Sequence, residues 1–185
     1  EYAKSIEAQE NQIKSIEAEI KRKEEEARKK AEEEKKKAAA ANKAAQTYKT
    51  VSLGDISFTW PCPANGRITS GFGGRKSPTK GASSNHQGID ISAPTGTSIV
   101  AAAAGEVVIA TYSSSAGNYV MISHGGGGYT VYMHASSLLV SQGQSVKKGQ
   151  TIAKVGSTGY STGSHLHFGV RVNGSYVNPT KYVSP

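Results

Sequence analysis

None of the 21 glycines and none of the 6 prolines in this 185-residue chain falls within residues 1 to 46. That gap constrains the fold more than any single motif does. An unbroken stretch dominated by Ala, Glu, Lys and Ile, mostly good helix formers, reads as one long helix, and a packed domain must then be built from the residues after it. At 1.5 Å per residue such a helix would reach about 65 Å. Ile6, Ile13, Ile20 and Ala27 recur every seven residues, with Tyr2, Gln9, Ile16 and Lys23 at the intermediate positions, so the helix opens with a coiled-coil seam. From Lys21 to Lys37 almost every residue is charged, as on a solvated helix with few partners. Residues 1–46 are therefore expected to be a helical coiled-coil arm acting as a spacer or a dimerisation stalk, and 47–59 a connector.

The pattern changes after Val51. Short Val, Ile, Tyr and Thr runs are punctuated by Gly, Asn and Ser, which is the signature of strands joined by tight turns. Strands are expected near Ile68–Ser70, Ile89–Ser92, Ser98–Ala102, Gly105–Thr111 and Asn118–His124. Others are expected near Tyr129–His134, Thr151–Val155, His165–Val172 and Tyr176–Val177. So tight a spacing leaves little room for helices, and residues 60–185 should form a mainly β domain, an antiparallel sheet assembly with a groove over one face.

The formal net charge is +8, and because the arm nearly balances its charges most of that excess belongs to the β domain. A basic Gly- and Ser-rich domain suits an anionic partner. Nucleic acid is not expected, because basic-aromatic interleaving, zinc-finger spacing and ribonucleoprotein-type motifs are missing; an anionic polymer of the cell envelope fits. Cys62 is the chain's only cysteine, so an internal disulfide and a multi-cysteine metal site are excluded. In Trp60-Pro61-Cys62-Pro63 it reads as a small residue of an extended segment. No apolar run is long enough to span a bilayer and no secretory signal is visible, so any membrane attachment is expected through a segment absent from this chain, which begins at Glu1.

Four of the five histidines lie in three clusters: His86-Gln87-Gly88-Ile89-Asp90, Tyr132-Met133-His134 and His165-Leu166-His167. On a strand, positions i and i+2 share a face, so His165 and His167 should point into one groove while Leu166 and Phe168 pack the other way. Catalytic zinc sites take three ligands from His, Asp or Glu and keep one position open. His86, Asp90 and His167 supply such a set, converging if a strand begins at about Gly88. Zinc brings the pKa of a bound water to about 7 and polarises a carbonyl, which makes amide hydrolysis feasible at neutral pH. A proton acceptor is also needed. With Asp90 used as a ligand, Glu106 in a surface hairpin and Asp55 in the leading segment, histidine is left by elimination. His134 and His165 are the candidates, each able to act as general base or to hydrogen-bond the oxyanion. Tyr132, two residues from His134, is expected to line the groove beside it. His124 has no spaced partner and reads as structural. Arg75, Lys76 and Lys80 precede His86 and are candidates for receiving a substrate carboxylate.

These residues resemble the lysostaphin-type, or LytM-like, zinc endopeptidases that cut peptide bonds in bacterial peptidoglycan. The resemblance runs from Trp60-Pro61-Cys62-Pro63 and Ile68-Thr69-Ser70-Gly71-Phe72-Gly73 through His86-Gln87-Gly88-Ile89-Asp90-Ile91 to Asn178-Pro179. It implies zinc binding at His86, Asp90 and His167 and catalytic assistance from His134 and His165. It also implies a groove-bearing antiparallel fold related to lipoyl-type half-barrels, a peptidoglycan peptide substrate and an extracytoplasmic location, secreted or at the cell wall or surface. A helical arm accompanies envelope-associated members. The competing expectation is a regulatory envelope protein that binds and activates another wall hydrolase, with the arm offering a partner surface or self-association. A lipoyl-like carrier, suggested by Lys147 and Lys148 at a turn, would have no need of the His-x-x-x-Asp and His-x-His clusters.

Overall fold

The computed structural model describes residues 2–40, 56–64, 66–77 and 83–185. Of the expected connector, residues 47–55 lie outside the described residues, as do 41–46 of the arm. Helix α1 (Tyr2–Ala40) is followed by strands β1 (Arg67–Ser70), β2 (Gly73–Gly74), β3 (Asn85–His86), β4 (Ile89–Ser92), β5 (Ser98–Val100), β6 (Gly105–Ser113) and β7 (Gly117–Ser123). The chain continues through β8 (Gly128–Ala135), β9 (Ser137–Leu138), β10 (Ser145–Val146), β11 (Thr151–Lys154), β12 (His165–Val172) and β13 (Ser175–Val177). An 8-stranded sheet has the order β1-β4-β12-β8-β7-β6-β10, with β13 paired to β12, and a 3-stranded sheet has the order β5-β11-β9. The pairings are antiparallel throughout. The mainly β, antiparallel expectation therefore agrees with the structure. The four strands that were not anticipated, β2, β3, β9 and β10, are two residues each, too short to show a period of two.

Alternation along the strands sorts the large sheet into two buried faces. Ile89, Ile91, Val120, Ile122, Tyr132, Leu166 and Phe168 face the small sheet, where Ile99, Ile152 and Val155 complete the core. Tyr119, Met121, Tyr129 and Val131 take the opposite face. A run such as Tyr119-Val120-Met121-Ile122 is apolar at every position and needs cover on both sides. Helix α1 supplies the second cover. Ile13 is fully buried against Ile109, Tyr119, Met121 and Val131, with Ile16 and Ile20 packed beside it. The heptad seam that the sequence offers to another helix is taken here by the chain's own sheet, so self-association through that seam would require α1 to leave. Beyond it, residues 21–30 are exposed, and this part of the helix is laced by i,i+4 pairs such as Glu19–Lys23 at 2.8 Å and Glu25–Lys29 at 2.9 Å.

The dock also carries charge. Arg171, on the α1 face of β12, is fully buried, and both of its carboxylate partners come from the helix. Its Nη1 donates to Glu10 Oε1 at 2.9 Å and its Nη2 to Glu17 Oε2 at 3.0 Å, while the guanidinium lies 4.6 Å from the centre of the Tyr176 ring. Stranding a buried charge costs about 3–5 kcal/mol, but α1 can lift and let water reach Arg171 instead. The Glu10→Gln/Glu17→Gln double variant is thus expected to accelerate amide exchange along residues 2–30 by tenfold or more, on the order of 1.4 kcal/mol per decade, with the sheet amides unchanged. Unaltered exchange in α1 would show that the pair does not hold the dock.

Candidate metal centre

Strand β12 lies beside β4 with His167 opposite Asp90 and His165 opposite Ser92. Leu166 and Phe168 go into the core, so His165 and His167 emerge on the other face. His86 arrives from β3, opposite Gly73 of β2. His86 Nε2, Asp90 Oδ1 and His167 Nδ1 form a triangle with each side 3.0 Å. The close approach depends on Gly88: a Cβ there would lie 2.5 Å from the Phe168 carbonyl oxygen and 2.7 Å from His167 Nε2.

His86 Nδ1 donates to the Gly71 carbonyl at 2.7 Å, which leaves Nε2 as a lone pair aimed at the other two atoms. Three acceptor atoms facing one another with at most one proton between them is the arrangement that a cation resolves. Zinc bonds of about 2.0–2.1 Å at tetrahedral angles require donors roughly 3.3 Å apart, close to the 3.0 Å sides found here. The residues therefore fit a metal. Burial alone would raise the Asp90 pKa, but the His167 and His86 imidazoles hold the carboxyl well below the usual carboxylate range. Burial pushes His167 down, opposed by Asp90.

His134 reaches this face by a different route. Strict alternation on β8 would send it to the core with Thr130 and Tyr132, yet its φ of 66° breaks the alternation and brings its ring to 4.7 Å from His165, centre to centre. A β-region residue rarely adopts that angle, at a cost of about 1–3 kcal/mol. Its own N–H to Ala116 O at 2.8 Å and Nδ1 to Thr158 O at 2.9 Å fix the conformation. His165 is held alike, with Nδ1 donating to Gly163 O at 2.8 Å and Nε2 turned to Asp90 Oδ1 at 3.7 Å. Both rings thus commit Nδ1 to a carbonyl and present Nε2 to the cleft. Burial pushes the His134 pKa down to about 3, with the His167 and His165 rings adding to the effect.

The five side chains line a cleft of about 800 Å³. One wall is helical: Ile6, Gln9, Glu10 and Ile13 of α1 border it, and Gln9 Oε1 accepts hydrogen bonds from Ser113 Oγ at the end of β6 and Ser115 Oγ in the turn before β7. That wall was not legible in the sequence. Two expectations are corrected. Tyr132 does not line the groove; it is fully buried, its hydroxyl accepting from the Ala102 N–H at 2.8 Å and from Thr130 Oγ1 at 2.9 Å, because it sits on the core side of the β8 alternation. Arg75 does not await a substrate carboxylate; its Nη1 is 2.8 Å from Asp90 Oδ2. Lys80 lies outside the described residues. His124 is structural, bridging Ala104 O and Thr130 Oγ1 at 2.8 Å each, and Cys62 is fully buried in the core with its thiol pKa raised by burial.

A pH dependence arises from these buried rings. Burial depresses the pKa values of His124, His134 and His167 in the folded, metal-free protein, whereas unfolded imidazoles titrate near 6.5. Below that pH the unfolded chain takes up protons that the folded one refuses, so the contribution is complete above about pH 7 and is lost on acidification. The urea midpoint of metal-free protein is expected to be lower at pH 5 than at pH 7.5. Equal midpoints would contradict the burial of these imidazoles.

Comparison with known proteins adds four findings. The profile of Peptidase family M23 matches residues 84–179, a stretch that includes all five side chains. The peptidoglycan DD-endopeptidase ShyC of Vibrio cholerae is 44% identical over 114 residues, 61% of this chain and 26% of that protein. A zinc containing peptidase from Vibrio cholerae superposes with a TM-score of 0.64 at 39% identity, over 70% of this chain and 41% of the other. The catalytic domain of lysostaphin from Staphylococcus simulans does so with a TM-score of 0.58 at 33% identity, over 64% of this chain and 92% of the other. The chain spans about a quarter of the length of the curated relatives it matches.

Proposed function

Since the chain belongs to peptidase family M23, we propose that it is a zinc-dependent endopeptidase that hydrolyses peptide bonds in bacterial peptidoglycan. The observation that carries this reading is the triangle of His86 Nε2, Asp90 Oδ1 and His167 Nδ1 at the floor of an open cleft with two further imidazoles beside it. Two imidazole nitrogens and one carboxylate oxygen are one of the donor sets that catalytic zinc takes, distinct from the all-oxygen cages of magnesium and calcium and the thiolate sites of softer ions. When bound there, zinc supplies Lewis acidity that makes a water more acidic and a carbonyl more electrophilic.

The remaining chemistry belongs to the chain. His86, Asp90 and His167 hold the ion. His134 and His165, their Nδ1 protons committed to Thr158 O and Gly163 O, accept at Nε2 the proton released by the attacking water and return it to the leaving amine. Burial keeps His134 unprotonated at neutral pH. A ring that has taken the proton becomes a donor to the oxyanion. The formal charge of +8 favours an anionic wall polymer as substrate, which supports a site of action outside the cytoplasm. The relative ShyC, named for its activity on peptidoglycan, supports the same substrate class.

The test is the digestion of purified peptidoglycan by zinc-loaded protein, by chelated protein and by chelated protein given zinc again. New amino termini are expected in the first and third digests only, and the fragment masses name the bond. Fragments that persist under chelation, or none in any digest, would overturn the reading.

A further inference from the structure

The hairpin that delivers His86 also delivers a second group to the site. Gly73 and Gly74 of β2 pair with His86 and Asn85 of β3, and the next rung is the Arg75 N–H to Ser84 O at 2.8 Å. Ligand and guanidinium are therefore carried on the two arms of one hairpin. Arg75 Nη1 contacts Asp90 Oδ2 at 2.8 Å and Ser70 Oγ at 2.5 Å. Ser70 Oγ in turn lies 3.5 Å from His86 Nδ1. Both charged side chains are largely withdrawn from water, 22% exposed for Arg75 and 14% for Asp90. Arg75 Nε is buried without a hydrogen-bond partner among the described residues, and the guanidinium directs its Nη1 corner at the carboxylate.

The two oxygens of Asp90 thus have different work. Oδ1 is the corner of the ligand triangle, 3.0 Å from each histidine nitrogen, while Oδ2 is taken by Arg75. We propose that Arg75 is a positioning residue for the metal site: it holds Asp90 so that one oxygen alone is offered to the ion, and it neutralises the charge left on the other. A carboxylate donating through one oxygen keeps the coordination number low and leaves room for substrate, whereas a released Asp90 can turn and donate through both. Partners that orient ligands in this way typically account for 10–100-fold in metal affinity. The role rests on the metal-site reading above and deepens it, since nothing in the His-x-x-x-Asp and His-x-His pattern points to a basic residue fifteen positions before Asp90.

The experiment measures zinc affinity by competition with a chromophoric chelator, together with the visible absorption of the cobalt-loaded protein, which weakens as coordination number rises. Wild type, Arg75→Gln and Arg75→Lys are compared, with the melting temperature in chelator as the control for folding. Arg75→Gln is expected to lose about 10–100-fold in zinc affinity and to weaken the cobalt band, while its metal-free melting temperature stays near that of wild type. Arg75→Lys keeps a charge but not the shaped contact with Asp90 and Ser70, and is expected to lose roughly three- to tenfold. It serves as the deciding variant if the glutamine protein does not fold. Affinity within twofold of wild type and an unchanged cobalt band in the folded variants would overturn the proposal. Absence of zinc binding by wild type would instead overturn the metal-site reading itself.

Discussion

Alanine at His165 or at His134 is expected to leave the protein folded and able to hold one zinc ion, while the rate of peptide cleavage falls by about 10²–10⁴, the range for a positioned proton carrier. Neither ring is a corner of the ligand triangle formed by His86, Asp90 and His167, and His165 Nε2 lies 3.7 Å from Asp90 Oδ1. Both rings are anchored at Nδ1, so removing one does not release the other. If the two share a single proton path, the double variant should be little worse than the worse single one, as expected for groups that act as a unit. Single-turnover rates at saturating zinc make the measurement. Losses below tenfold in both single variants would remove these histidines from the chemistry.

His167→Ala should act on the other half of the site. Four-ligand structural zinc sites bind with apparent free energies of about 10–16 kcal/mol, so one ligand is worth about 3 kcal/mol, or two decades of affinity. The metal-free protein should lose far less, because His167 is an imidazole whose proton affinity burial has reduced and which faces two other acceptors. Stabilisation by zinc follows the ratio of free ion to dissociation constant. The thermal shift produced by a fixed low zinc concentration is therefore expected to collapse in His167→Ala, with the melting temperature in chelator close to that of wild type. An undiminished zinc shift would mean that the ion sits elsewhere.

The parts of this structure that were legible in the sequence are those governed by a period. The strands of three residues and more announce themselves by short β-branched and aromatic runs between turn residues, and His165-Leu166-His167-Phe168 alternates as a half-buried strand must, with its imidazoles on one face and Leu166 and Phe168 fully buried. The period failed where the backbone departs from it. At His134 a positive φ turns the ring onto the groove face, so the rule that grouped Tyr132 with His134 placed Tyr132 wrongly. Arg75 sits beyond the end of a two-residue strand, where no repeat exists to say which way a side chain points. The docking of α1 was hidden for another reason. A heptad seam states that an apolar stripe needs cover but not what covers it, and here the cover is a sheet whose Tyr119-to-Ile122 run is apolar on both faces. Arg171, the buried charge that meets Glu10 and Glu17 of that helix, reads in sequence as one more strand residue.

Titrating zinc into the metal-free protein while following peptidoglycan cleavage tests the account most directly, because it ties one geometry to one activity. Cleavage is expected to rise linearly with added zinc and to break at one equivalent per chain, with no break for His167→Ala over the same range. Full cleavage before zinc is added, or a rise that continues well past one equivalent, would contradict a single catalytic ion held by His86, Asp90 and His167.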